Sequence, residues 1–148
     1  MKKTLNNKEI RNINSEIEKY DYQFAKKECV ERSDDFIRKD NKTLFFYHDN
    51  KILPALKLLL QGISGIKKVT VDMGAVKFVT NGADIMRPGI VHIEDDIEKA
   101  EPIVIIDENN KKPLAICIAL LSTEDMRKES KGKVIQNIHF VGDEIWNS

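Results

Sequence analysis

The chain lacks net charge: 24 lysines and arginines stand against 24 aspartates and glutamates. A neutral total withholds the broad positive field that draws a protein onto a nucleic-acid backbone, so any such contact needs a local patch. Cysteine is nearly absent. Cys29 and Cys117 lie far apart in apolar surroundings, which excludes a disulfide scaffold, and neither belongs to a CxxC pair. His48, His92 and His139 are equally dispersed, so no metal site is expected. Long apolar runs are missing too; a stretch such as Ala115 to Leu121 is far too short to span a bilayer. The opening MKKTLNNKEIRN has lysines but no apolar core behind them, unlike a signal peptide. A soluble, cytoplasmic chain with no membrane partner is the expectation.

Catalytic signatures are also wanting. The sequence has no phosphate-binding loop and no nucleophile elbow. The acidic run Glu94-Asp95-Asp96-Ile97-Glu98-Lys99-Ala100-Glu101 has neither the spacing nor the turn glycine of a calcium loop. It reads as a solvated loop, turned away from phosphate by like charge. No enzyme activity and no cofactor are expected.

What is present is enough apolar sequence, 41% of 148 residues, for one domain or two small ones. Asn6 followed three residues later by Glu9 marks a capped helix start, and Ile10, Ile13 and Ile17 recur at helical spacing from Lys8 to about Tyr20. Asp35–Arg38 and Thr43–Tyr47 read as strands around an Asp40-Asn41 turn, with another turn at His48-Asp49-Asn50. Leu53–Gln61 reads as a helix with Pro54 in its first turn and Gly62 at its end. The segment Gly62-Ile63-Ser64-Gly65 divides the chain into residues 1–66 and 67–148, and so short a link predicts halves that dock. The first half carries 13 basic and 10 acidic residues, the second 11 and 14.

The second half is mostly strand: Val69–Asp72, Pro102–Asp107, Leu114–Leu121 and Lys133–Val141. In the last of these Val134, Gln136, Ile138 and Phe140 alternate onto one face. Ser122–Glu129 is a helical turn with Thr123 as its cap. Short strands at this spacing predict a small barrel. Ala75–Thr80 is a short helix bracketed by Gly74, Gly82 and Gly89, positions that suggest positive φ or close backbone approach. A helix across strands with backbone exposed at tight turns suits RNA better than catalysis. Val76 and Val79 face inward, which leaves Lys77 outward near Asn81. Arg87, between Met86 and Pro88, is expected to be exposed. With Lys67 and Lys68 these cations form a candidate basic strip. His139 reads as a structural hydrogen-bonding residue, and Trp146 as a latch on the barrel.

Several spaced blocks resemble the PUA domain. They are Val71-Asp72-Met73-Gly74-Ala75-Val76, then Gly82 to Ile90, Lys112-Pro113-Leu114-Ala115, Lys131-Gly132-Lys133, and His139 with Gly142-Asp143-Glu144-Ile145-Trp146. Leu44-Phe45-Phe46 and Leu53-Pro54-Ala55-Leu56-Lys57-Leu58-Leu59 resemble the malignant-T-cell-amplified, translation machinery-associated family in its archaeal stand-alone form. The resemblance implies an α+β fold: an N-terminal α/β pre-PUA domain docked on a C-terminal PUA β-barrel, or pseudobarrel, with a short flanking helix. It implies a non-catalytic RNA-binding protein in translation, acting on rRNA or tRNA and the small ribosomal subunit in initiation or recycling, with a density-regulated-type protein partner. The alternatives are an accessory RNA-binding subunit guiding an RNA-modification enzyme, and a protein-interaction adaptor. By position, the family's RNA contacts fall on Lys77, Asn81, Gly82, Ala83, Arg87, Pro88 and Gly89, with Gly132 and Lys133 as further candidates. Two departures stand out: Glu98-Lys99-Ala100-Glu101 before the strand at Ile103, where many members have a Lys-Gly-Asp turn, and Cys117 where many have glycine.

Overall fold

The computed structural model describes residues 2–148, which divide into two compact units. The first ends at Gly65 and includes Ser148; the second is Ile66–Asn147.

The first unit contains β1 (Lys2–Thr4), α1 (Asn7–Ile17), a 3-10 turn (Glu18–Tyr20), β2 (Glu31–Ser33), β3 (Phe36–Lys39), β4 (Lys42–His48), β5 (Lys51–Pro54) and α2 (Leu56–Leu60). The Asn6 carboxamide accepts from Glu9 N, and Glu9 returns the bond to Asn6 N, closing the capping box read from the sequence. Ile10, Ile13 and Ile17 are buried as their spacing requires. They meet Ile37, Phe45 and Ile52 from an antiparallel sheet of order β1-β2-β3-β4-β5. Two tight hairpin turns, Asp40-Asn41 and Asp49-Asn50, hold positive φ, a conformation these short polar side chains tolerate. Tyr20 is buried and donates a 2.6 Å hydrogen bond to Ile52 O.

The expected helix over 53–61 is shorter and starts later. Leu53 and Pro54 pair with Phe46 and Phe45 as the end of β5, and the helix begins at Leu56. Pro54 belongs there because β5 is an edge strand, where a missing N–H breaks no ladder. β1 and β2 had no clear alternation to announce them.

The second unit runs β6 (Lys67–Val71), α3 (Met73–Val79), β7 (Ile85–Met86), a 3-10 turn (Arg87–Gly89), β8 (Ile90–Ile93), β9 (Pro102–Asp107), β10 (Pro113–Ala119), α4 (Thr123–Lys128) and β11 (Lys133–Phe140). Its sheet order is β7-β11-β10-β9-β6-β8, with β6 and β9 parallel and every other pair antiparallel. The terminal strands of that order, β7 and β8, are joined by the three-residue turn, so the sheet nearly closes on itself. Val69, Val71, Ile103, Ile105, Ala115 and Ile135 fill the interior.

Two details differ from the sequence reading. The cap of α4 is Ser122, whose hydroxyl accepts from Asp125 N; Thr123 is buried, accepts from Ile97 N and donates to Glu94 O, anchoring the acidic loop. In β11 the simple alternation fails. Ile116 faces His139 but Cys117 faces Asn137, so Ile138 is an extra residue in the ladder. Val134 and Ile135 are both buried, and His139 rather than Ile138 turns fully inward.

Candidate functional site

Asp72 fixes the start of α3. Its carboxylate accepts from Ala75 N at 2.9 Å, and its own N–H donates to Gly89 O at 2.9 Å. The second bond ties the helix to the turn between β7 and β8. Gly89 lets the two approach: a Cβ there would lie 3.2 Å from Ala75 Cβ. Its φ is not positive, and neither is that of Gly74, which sits inside α3. Of the three bracketing glycines only Gly82 needs the left-handed region, at φ +93, and a Cβ there would press to 3.0 Å of the Phe140 ring.

Between α3 and the β7 segment lies an open groove of about 550 Å³, lined by Gly74, Ala75, Phe78, Ala83, Met86, Pro88 and neighbouring residues. Val79 is buried and Val76 packs on the core, so α3 turns its other faces out. Met73, Phe78 and Met86 are 43%, 57% and 51% exposed. Phe78 and Met86 line the groove, and two large apolar side chains left in water in one groove mark a binding surface. The Lys77 ammonium lies 5.2 Å from the Phe78 ring centroid, placing a cation over the aromatic face. Lys133 reaches the groove wall through a 3.4 Å ion pair with Asp84.

The candidate strip divides. Ala83, Pro88 and Gly89 line the groove, with Lys77 and Lys133 beside it and Asn81 and Gly82 at the end of α3. Gly132 has φ +89, and its carbonyl accepts from Arg87 N at 2.8 Å. Lys67 is held elsewhere, by Glu101 at 3.3 Å and Asp96 O at 2.6 Å. Lys68 is exposed, and its backbone N–H donates to Glu94. Arg87 is half-buried rather than exposed. Its Nε donates to Met126 O at 2.8 Å and its Nη1 to Ile90 O at 3.3 Å, which turns the guanidinium away from the groove.

Two carboxylates of the acidic run are answered by the unit's own cations. Glu101 takes Lys67, and Asp95 takes Arg127 at 2.6 Å, a pairing that lowers the Asp95 pKa. At Ala100 the chain holds φ +72, a left-handed turn made by a residue other than glycine. Among the described residues, no three His, Cys, Asp or Glu side chains gather to hold a metal ion. Cys117 is fully buried, and desolvation raises its thiol pKa strongly, which leaves it inert. No helix is long and apolar enough to cross a membrane among the described residues.

Sequence reasoning missed Phe78, Met73 and Met86. A signal existed: Met86 follows inward-facing Ile85 in a strand and so must face out, and Phe78 adjoins Val79 on the opposite side of the helix from the core.

A model of the PUA domain family matches residues 67–141. An uncharacterized protein of Methanocaldococcus jannaschii is 42% identical, over 97% of this chain and 93% of that protein. Translation machinery-associated protein 20 of Schizosaccharomyces pombe is 37% identical over 71% of this chain, which spans only 60% of that relative's length. A malignant T-cell-amplified sequence 1 homolog of Drosophila melanogaster is 30% identical over 86% of this chain and 71% of its own length. Among solved structures, a hypothetical protein of the archaeon Pyrococcus horikoshii superposes with a TM-score of 0.81 at 29% identity, covering 99% of this chain and 98% of that one.

Proposed function

This chain belongs to the PUA-domain family, in the group of the translation machinery-associated and malignant T-cell-amplified proteins, and on that premise we propose that it is a non-catalytic RNA-binding protein acting in translation. One observation carries the reading. The second unit leaves Phe78 and Met86 exposed in a groove, with Lys77 at the aromatic ring and Lys133 at the wall. An unpaired base has two apolar faces that stack on such side chains, while the adjoining ammonium groups meet its phosphates. The RNA is a structured one of the translation machinery, rRNA of the small subunit or the acceptor end of tRNA. The first unit docks on the ribosome or on a protein partner of the density-regulated type.

Few cations border the groove, so affinity is modest and depends on salt. The test is sedimentation of the purified chain with ribosomal subunits, before and after nuclease treatment, alongside crosslinking and sequencing of attached RNA. Nuclease-sensitive association and crosslinks to rRNA or tRNA are expected. Association that survives nuclease with no RNA crosslinked would overturn the reading in favour of a protein adaptor.

A further inference from the structure

On the far side of the Arg87–Gly89 turn lies a second, smaller hollow of about 170 Å³, lined by Arg87, Ile90, Val91, His92, Ile93 and Arg127. Pro88 and Gly89 of the same turn line the apolar groove, so adjacent residues of one turn border both sites. The arginines come from different elements: Arg87 from the turn, Arg127 from the last turn of α4.

Both guanidiniums are held in place by backbone carbonyls. Arg87 donates Nε to Met126 O and Nη1 to Ile90 O; Arg127 donates Nη2 to Ile93 O at 3.0 Å. Each bond fixes a fork without neutralising its charge. A guanidinium has five N–H donors, so these contacts occupy the minority of Arg87's set. Its orientation is settled before any ligand arrives, which lowers the entropy lost on binding. Among the described residues the carboxylate on the pair is Asp95, bound to Arg127 at 2.6 Å and itself largely exposed. His92 stands on the rim, exposed, as a further donor.

We propose that this hollow is a phosphate site: Arg87 and Arg127, with His92 at the rim, hold a backbone phosphate of the RNA whose neighbouring base occupies the apolar groove. The inference rests on the groove reading and deepens it. Planar, pre-oriented guanidiniums suit a tetrahedral oxyanion, and the carbonyl anchors of Arg87 are neutral, so they hold its fork without cancelling its charge. Arg87 thereby acts on RNA from a position opposite to the one its place in the sequence suggested. Asp95 competes with the phosphate for Arg127 and sets the affinity of the site.

The experiment titrates the full chain into a fluorescently labelled RNA hairpin with a single-stranded 3′ tail, at several potassium chloride concentrations, with parallel titrations of inorganic phosphate. Four variants are compared: Arg127→Gln, His92→Gln, Asp95→Asn and Phe78→Ala. Arg127→Gln should weaken RNA binding roughly 3- to 10-fold and reduce the salt slope by about one. His92→Gln should weaken it slightly. Asp95→Asn, which frees Arg127, should strengthen it about 2- to 3-fold. This opposite sign guards against a loss caused by misfolding. If Phe78→Ala weakens binding while Arg127→Gln and Asp95→Asn leave affinity and slope unchanged, the hollow is not a phosphate site and the groove reading stands. If Phe78→Ala also changes nothing, both fall. Inorganic phosphate that binds the hollow with no effect of Arg127→Gln on RNA would mark a free-anion site and overturn the proposal.

Discussion

Replacing Asp143 by alanine should cost the second unit about 2–5 kcal/mol, a large share of the roughly 5–15 kcal/mol that holds a domain folded. The carboxylate gathers three donors at the end of β11: His139 Nδ1 at 2.9 Å, Phe140 N at 2.9 Å and Trp146 N at 2.8 Å. Because a carboxylate can only accept, the imidazole presents N–H at Nδ1. His139 is fully buried, so its stranded N–H would bear the whole desolvation penalty, about 1–3 kcal/mol. The two backbone N–H groups lie in a half-buried terminal turn where water recovers part of each loss, leaving about 0.5–1 kcal/mol apiece. Urea denaturation of the full chain, followed by the Trp146 fluorescence, measures the sum. The pH profile supplies a second reading. Burial lowers the His139 pKa below the ordinary value of about 6.5, against the upward pull of Asp143. The unfolded imidazole therefore binds a proton first as pH falls. Stability is complete above about pH 6.5 and is lost as pH falls from there toward the folded pKa. Asp143→Asn removes the upward pull, lowers the folded value further and deepens that acid-side loss. A loss below about 1 kcal/mol for Asp143→Ala, or an Asp143→Asn profile no steeper than wild type below pH 6.5, would refute the reasoning.

Three further outcomes are expected. Phe78→Ala should leave the denaturation midpoint nearly unchanged, since the ring is 57% exposed, yet weaken RNA binding by about 1–3 kcal/mol for a lost stacking platform, read by fluorescence anisotropy. Gly82→Ala should destabilise by about 1–3 kcal/mol, because φ +93 disfavours a side chain and the new Cβ meets the Phe140 ring at 3.0 Å; urea curves decide it. Ala100→Gly should stabilise by roughly 1 kcal/mol by relieving a left-handed alanine at φ +72, and a lowered melting temperature would contradict it.

Local chemistry was the most legible part of this chain. The Asn6–Glu9 capping box and the Asp40-Asn41 and Asp49-Asn50 turns are short-range devices, each specified by two or three residues, and each stands where the sequence pointed. Longer reach was harder. Leu53 and Pro54 continue an apolar run whose period cannot separate a strand end from a helix start; pairing with Phe45 and Phe46 decides it. The extra residue at Ile138 shifts the facing of β11, and nothing local announces a bulge. The candidate site shows the same division. That α3 and its turns border a groove could be read, but the carbonyls that draw Arg87 inward come from Met126 and Ile90, and Met126 is 39 residues away. Weighing charge over apolar exposure also hid Phe78 and Met86, the most open large side chains around the groove.

The pairing of β7 with β11 has a consequence for the order in which this unit can assemble. Ile85 meets Ile135 and Met86 meets Lys133, so the groove's strand wall finds its partner roughly fifty residues later. The parallel pair β6 and β9 likewise waits for Ile103 before Lys67 has a neighbour on that side. Closing such long loops must precede any contact energy that rewards it, which slows folding and defers these pairings. During synthesis α3 emerges early, but the surface it shares with β7 takes shape only after Lys133–Ile135 have left the ribosome. A nascent chain therefore holds no finished groove until the last strand has joined the sheet.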